Sequence, residues 1–161
     1  MTKIFLLSIL VSPFLLTIAL SSPISKDFQI FSIGVIKKTK HTTIIEIYKK
    51  YEDALLGLHQ FSHVIVCYWF HKNDTAEKRN ILQVHPRGDR RNPLTGVFAT
   101  RSPVRPNLIG ISICKILSID GNIIHIDKID ALDGSPVIDL KPYIPRDDSI
   151  PDARVPEWVK K

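Results

Sequence analysis

Five arginines, Arg87, Arg90, Arg91, Arg101 and Arg105, fall between His85 and Asn107 against a single acid, Asp89. Arginine offers a planar fork of donors that meets carboxylate or phosphate oxygens two at a time. Pro86, Pro103 and Pro106 stiffen the backbone beside Arg87 and Arg105, so the stretch reads as a shaped anion-binding loop rather than a solvated face. A second cluster, Asp130-Ala-Leu-Asp-Gly-Ser-Pro136, is turn chemistry by local composition. Its functional reading turns Asp133 and the neighbouring amides toward a polar small molecule. His59 and His63 are four apart but straddle a helix-to-strand boundary, which makes His63 a structural hydrogen bonder rather than a ligand. Cys67 and Cys114 lie in apolar runs without a Cys or His at ligand spacing, so they read as small buried hydrophobes and no metal is expected. No glycine-rich turn joins a strand to a helix, and no serine sits in a nucleophile elbow; a P-loop, a dinucleotide fold and a serine hydrolase are unsupported.

The elements that must position these residues are mostly strands. Phe28–Ile36 and Thr42–Ile45 read as the first two. Ile47, Tyr48, Tyr51, Ala54, Leu55 and Leu58 follow helical spacing, and Gly57 ends that helix. Val64–Phe70 is continuously apolar and reads as a strand buried on both faces. Asp74 with Glu77 opens a short helix to about Leu82. Gly96–Thr100 is strand-like inside the long basic loop region 83–107. Ile109–Ile119, a turn at Asp120-Gly121, and Asn122–Ile129 form a hairpin, and Val137–Leu140 is the last strand. Beyond it, Pro142, Pro145, Pro151 and Pro156 imply an extended tail, residues 151–161. The expected fold is mostly β: a compact antiparallel or mixed β-barrel with one or two short peripheral helices.

Composition supports one globular domain. The chain has 161 residues, 44% hydrophobic and 24% charged, which excludes a disordered chain. Its 22 basic residues against 16 acidic give a formal charge of +6, favouring an anionic partner such as nucleic acid or an acidic membrane face. Residues 1–22 stand apart. Lys3 precedes an apolar stretch, residues 4–20, followed by small residues, a pattern of a signal peptide or an N-terminal membrane anchor. A start downstream of Met1 is the third reading. The basic character belongs to the domain, since this segment holds one lysine and no acid.

The clusters carry a resemblance. Ile33-Gly-Val-Ile36, Gly57-Leu-His-Gln-Phe-Ser-His63, Trp69-Phe-His71, Gly96-Val-Phe-Ala-Thr-Arg-Ser-Pro-Val-Arg-Pro-Asn107, Ile109-Gly110 and Leu132-Asp-Gly-Ser-Pro136, with Asp139, Lys141, Pro142 and Tyr143, occur in this order. Together they resemble the TrmO-type (TsaA-like) S-adenosylmethionine-dependent tRNA methyltransferases over residues 28–150. Asn73-Asp-Thr-Ala-Glu-Lys-Arg79 and His85-Pro-Arg-Gly88 are similar to a short single-domain branch of that family. The resemblance implies a β-barrel homodimer that transfers methyl from S-adenosyl-L-methionine to N6 of a threonylcarbamoylated adenosine beside the tRNA anticodon. Carried over residue by residue, it implies cofactor contacts at His71, Lys72, Arg101, Ile111, Leu132, Asp133, Gly134 and Ser135. It leaves Asp133 and His71 as candidate bases, and Arg87, Arg90, Arg91, Arg105 and Lys141 as the RNA-facing set. Such an enzyme works in the cytoplasm, with membrane attachment through residues 4–20 compatible if the domain stays inside; export is the alternative. Two departures stand out. The family's Pro/Gln/Arg-rich loop after the first strand is missing, because Ile36 runs through Lys-Lys-Thr-Lys-His into the next apolar segment, and Leu108 replaces the usual Pro. The shortened loop keeps two alternatives open: a non-catalytic S-adenosylmethionine- or nucleotide-binding module, membrane-associated or exported, and a methyltransferase with another acceptor.

Overall fold

The computed structural model describes residues 29–160. The expected leader or anchor, 1–22, lies outside the described residues; among those described, no helix is long and apolar enough to cross a membrane. In chain order the elements are β1 (Gly34–Lys38), β2 (Thr43–Ile47), β3 (His63–Trp69), α1 (Ala76–Arg79), β4 (Gln83–Val84), β5 (Thr95–Gly96), β6 (Ile109–Asp120), β7 (Ile123–Ile126), β8 (Pro136–Pro142), α2 (Pro145–Asp148) and α3 (Glu157–Lys160).

Six strands form a barrel-like sheet in the order β1-β2-β7-β6-β3-β8, every pairing antiparallel. The fold is thus the mostly-β barrel that the sequence implies. The seam that closes it is the shortest pairing, Gly34 opposite Val137 and Val35 opposite Pro136. β6 is long enough to pair with β3 in its first half and β7 in its second, with a register shift between Ile116 and Ser118. A shift of this kind bends a strand and lets a small sheet curl onto itself. Ile36, Ile45, Ile47, Val64, Val66, Tyr68, Cys114, Ile124, Ile126 and Val137 fill the interior. Gly34 is where two strands come closest: a Cβ there would lie 2.4 Å from the Glu46 carbonyl oxygen.

Closure decides most differences from the sequence reading. β3 is buried on one face only: Val64, Val66 and Tyr68 point in, while His63, Ile65, Cys67 and Trp69 are half-exposed outside. A barrel has one interior, so a continuous apolar run gains burial on alternate residues and leaves the rest as an apolar outer stripe. β1 begins at Gly34, later than the predicted strand, opposite Ile47, the last residue of β2. Residues 49–55 and 58–60 form two 3-10 turns separated by Gly57 at φ 87°, instead of one α-helix. The cap of α1 is Thr75, whose Oγ1 accepts from the Lys78 amide at 3.2 Å, and the helix stops at Arg79. The strand-like 96–100 keeps only Gly96 in pairing and then turns as 3-10 helix over Val97–Ala99. The hairpin turn is Gly121-Asn122, one residue later than expected, with Gly121 at φ 57° and Asp120 opposite Ile123. In the proline-rich stretch after β8, α2 and α3 are single helical turns within the chain expected to be extended.

Candidate functional site at one end of the barrel

β1, β3 and β7 end, and β2, β6 and β8 begin, at the same end of the barrel. The loops there are 39–42, 70–108 and 127–135, and they carry all the sequence-predicted site residues except Ile111, on β6, and Lys141. Lys141 sits toward the other end of β8, paired with Asp139 at 2.9 Å, and so does not join the arginines. The neighbouring carboxylate holds its ammonium above the usual range.

The long loop surrounds a cavity of about 820 Å³ whose walls include Arg101, Arg105, Asn107, Ile111, Phe98, Lys128 and Asp130. Arg101, Arg105 and Ile111 are thereby brought together. Its floor is shaped by Gly110: a Cβ there would stand 2.5 Å from the Tyr68 ring and 2.9 Å from Phe70. The two rings meet edge to face with centroids 5.5 Å apart. Burial pushes the Tyr68 phenol up, with the Ser112 side-chain hydrogen bond pulling the other way, so it lines the cavity as a neutral hydroxyl. Chemically, the cavity offers a two-arginine grip for a carboxylate, a carboxylate for a positive centre, and apolar walls for a flat ring.

At the same end of the barrel, outside the lining of this cavity, His71 Nδ1 lies 3.3 Å from Ser135 Oγ, joining the end of β3 to the turn before β8. Ser135 is buried, Gly134 takes φ 76°, and Leu132 and Lys72 are exposed. Asp133 is tied to the backbone: its Oδ1 accepts from the Lys38 amide at 2.8 Å. Lys38 Nζ in turn donates to the Ile129 and Ala131 carbonyls at 3.1 and 3.0 Å. These bonds pin the 129–135 segment to the end of β1, which leaves Asp133 as an anchor of the turn. The β1–β2 connection is a tight turn, with the Thr39 amide bonded to the Thr42 carbonyl and Thr39 Oγ1 2.8 Å from Thr42 Oγ1. No loop extends from it over the cavity.

A set of residues that the sequence reading passed over positions the arginine loop. Trp69 Nε1 donates to Asp74 Oδ2 at 2.9 Å, and Arg79 Nε donates to Asp74 Oδ1 at 2.9 Å. The Arg79 guanidinium lies over the Trp69 ring, 5.3 Å from its centroid, and Nη1 donates to the Pro106 carbonyl at 2.9 Å. The base of the Arg101–Asn107 segment is thereby clamped to the end of β3. Hydrogen bonds from Arg79, then Trp69, hold the Asp74 carboxyl below its usual range. The sequence signal for this set lies in Trp69 and in the run Asn73–Arg79, where Asp74 also fits the pattern of a helix cap.

A second cavity, of about 1120 Å³, adjoins the first through Phe98, Thr100 and Arg101; Arg87 and Arg90 line it. Arg91 points elsewhere, exposed and bonded to Asp89 at 2.7 Å.

Comparison with known proteins gives one consistent likeness. The tRNA-methyltransferase O N-terminal domain family matches residues 20–149. A probable S-adenosyl-L-methionine-binding protein of Methanocaldococcus jannaschii is 53% identical over 109 residues, 68% of this chain and 86% of that relative. The human tRNA (adenine(37)-N6)-methyltransferase is 44% identical over 103 residues, 64% of this chain but 23% of its own length. A crystal structure of TrmO from Pseudomonas aeruginosa superposes with a TM-score of 0.61 at 29% identity, covering 80% of this chain and 61% of that one. The chain thus spans less than two thirds of that solved structure.

Proposed function

Because the chain belongs to the tRNA-methyltransferase O N-terminal domain family, we propose that it is an S-adenosylmethionine-dependent methyltransferase acting on N6 of a modified adenosine next to the tRNA anticodon. The observation that carries this reading is the 820 Å³ cavity beside the arginine loop, with Arg101 and Arg105 on its wall and Asp130 among the apolar side chains. The donor set fits the cofactor's chemistry. Arg101, backed by Arg105, would hold the carboxylate, Asp130 would offset the positive charge, and Ile111 would lie against the adenine. His71, Lys72 and the Leu132–Ser135 turn stand at the same end of the barrel, outside the lining of this cavity. When bound, S-adenosyl-L-methionine supplies a methyl on a sulfonium, so transfer leaves a neutral thioether and N6 gives up one proton. The chain's own contribution is to hold the two partners in line. His71 is the better candidate for the proton, because the Asp133 carboxylate is already committed to the Lys38 amide.

Arg87 and Arg90 form the RNA-facing set, and a tRNA substrate requires the domain to face the cytoplasm. Homodimer formation, which the family resemblance implies, belongs to the same reading. The missing loop over the cavity favours a second reading, in which the chain binds S-adenosylmethionine without methylating tRNA. The name of the M. jannaschii relative is compatible with either.

Calorimetric titration of S-adenosylmethionine into the protein tests the shared part. Micromolar binding is expected, weakened roughly ten- to a hundredfold by Arg101→Ala through loss of a charge-assisted pair. An unchanged affinity would remove Arg101 from the site. Methyl incorporation into tRNA then separates the two readings: cofactor binding without incorporation leaves the binding module.

A further inference from the structure

The two cavities that share Phe98, Thr100 and Arg101 differ in charge. Asp130 lies on the wall of the first, whereas no acidic side chain lines the second. Around the second stand Arg87, Arg90, Arg101 and His85, with two aromatic side chains, Phe98 and Trp158. Phe98 is 77% exposed and lines this cavity together with Trp158, so its ring is accessible to a ligand there. Trp158 comes from α3, the final turn of the chain, which folds back to wall the cavity with Val159. Nearby Glu157 is occupied by Lys160 at 2.6 Å and so does not offset the arginines.

The backbone at Arg87 points the same way. Among the described residues it is the one non-glycine with positive φ, at φ 62° and ψ 12°. An L-residue is strained there, and the turn is held by several bonds at once. His85 Nδ1 is 2.8 Å from the Asn92 carbonyl, Asn92 Nδ2 donates to the Pro86 carbonyl at 3.0 Å, and the Gly88 amide donates to the His85 carbonyl at 2.9 Å. These bonds hold the turn that puts Arg87 in the lining of this cavity.

Aromatic faces interleaved with arginines are the chemistry of single-stranded nucleic acid, whose bases have a free π-face and whose phosphates follow at each step. A base inside a duplex is stacked on both sides and has no face to offer. We propose that the 1120 Å³ cavity receives the unstacked acceptor base of an RNA loop, which stacks on Phe98 and Trp158 while its flanking phosphates lie on Arg87 and Arg90. This rests on the methyltransferase reading and names where the acceptor sits: against the boundary of Phe98, Thr100 and Arg101 that the two cavities share, with its N6 edge toward the cofactor side for in-line transfer. The C-terminal turn is then part of the substrate site.

The test titrates a synthetic anticodon stem-loop RNA, with adenosine on the 3′ side of the anticodon, into the full chain and follows tryptophan fluorescence. Trp69 is sequestered under Arg79, so the expected quenching comes from Trp158 and disappears in Trp158→Phe while affinity is largely kept. Trp158→Ala lowers the affinity for the loop roughly tenfold, as does Phe98→Ala. The isolated stem duplex produces no quenching. S-adenosylmethionine affinity of the Trp158 variants, by calorimetry, stays at the wild-type value and reports that they are folded. If wild-type protein binds the cofactor and methylates tRNA while Trp158→Ala binds the loop as tightly as wild type, the pocket assignment is overturned alone. If wild-type protein binds no S-adenosylmethionine, the reading beneath it fails instead.

Discussion

Asp74 accepts from two side chains, Trp69 and Arg79, and Arg79 reaches onward to the Pro106 carbonyl. The clamp therefore depends on one carboxylate staying charged. Its folded pKa is depressed, by Arg79 first and Trp69 second. A depressed carboxylate contributes stability that is fully present above its unfolded value, about 3.9, and is lost as pH falls through the lower folded value. The arginine loop should therefore be held throughout the neutral range and loosen only in acid, below about pH 4. Near-ultraviolet circular dichroism of Trp69 should show this transition in wild type, and Asp74→Asn should already show the loosened signal at pH 7. Arg79→Lys keeps the charge but loses the fork that bonds Asp74 and Pro106 together, so it should resemble Asp74→Asn. An Arg79→Lys protein with a wild-type spectrum would mean that the clamp is electrostatic and Pro106 is held by other means. The two thiols make a contrast at the same scale. Burial pushes Cys114 up to about 12 and also raises Cys67, with Asp139 adding to it. Native protein at pH 8 should react slowly with thiol reagents at Cys67 and not measurably at Cys114, which labelling followed by mass spectrometry checks.

At the scale of elements, the turn 130–135 matters through its attachment to β1. Asp133→Ala removes the acceptor for the Lys38 amide and should lower Tm by a few degrees. Asp133→Asn keeps an acceptor oxygen. It should retain both stability and most methyl transfer if Asp133 anchors the turn, whereas a catalytic base would lose turnover with stability intact. The sequence could indicate the turn but not this role, because the partner amide lies at Lys38, far away along the chain. The same limit explains what was legible in the fold. β3, β6, β7 and β8 announced themselves by apolar runs and a turn, all local signals. That β3 would be buried on one face only followed from closure by β1 and β8, a contact of high sequence separation that no local pattern encodes. Asp74 differs for the opposite reason: the local pattern makes it a helix cap, whereas in the fold it is bonded to Trp69 and Arg79 and Thr75 is the cap. In the site, the arginine-rich block was legible through its residue types and spacing. Phe98 stood inside that block and Trp158 stood in the tail, and nothing short of the folded chain brings them to one cavity.

For the molecule as a whole, the formal charge of +6 is unevenly useful. Arg87, Arg90, Arg101 and Arg105 gather on the two cavities at one end of the barrel, whereas Lys141 lies toward the other end beside Asp139, and Arg91 is bonded to Asp89. Release of counterions by phosphate contact makes the logarithm of affinity fall with the logarithm of salt, with a slope that counts the contacts. If RNA docks on the cavity end, Arg90→Ala should weaken tRNA binding at all sequences and reduce that slope by about one. Arg91→Ala should do less, because its guanidinium is already neutralised by a neighbour, and Lys141→Ala should leave both affinity and slope at wild-type values. A uniform loss from all three would mean that the tRNA is attracted by net charge without a preferred face. Filter-binding titrations across a salt series on the single variants separate the two cases, since net charge changes equally in each variant and only position distinguishes them.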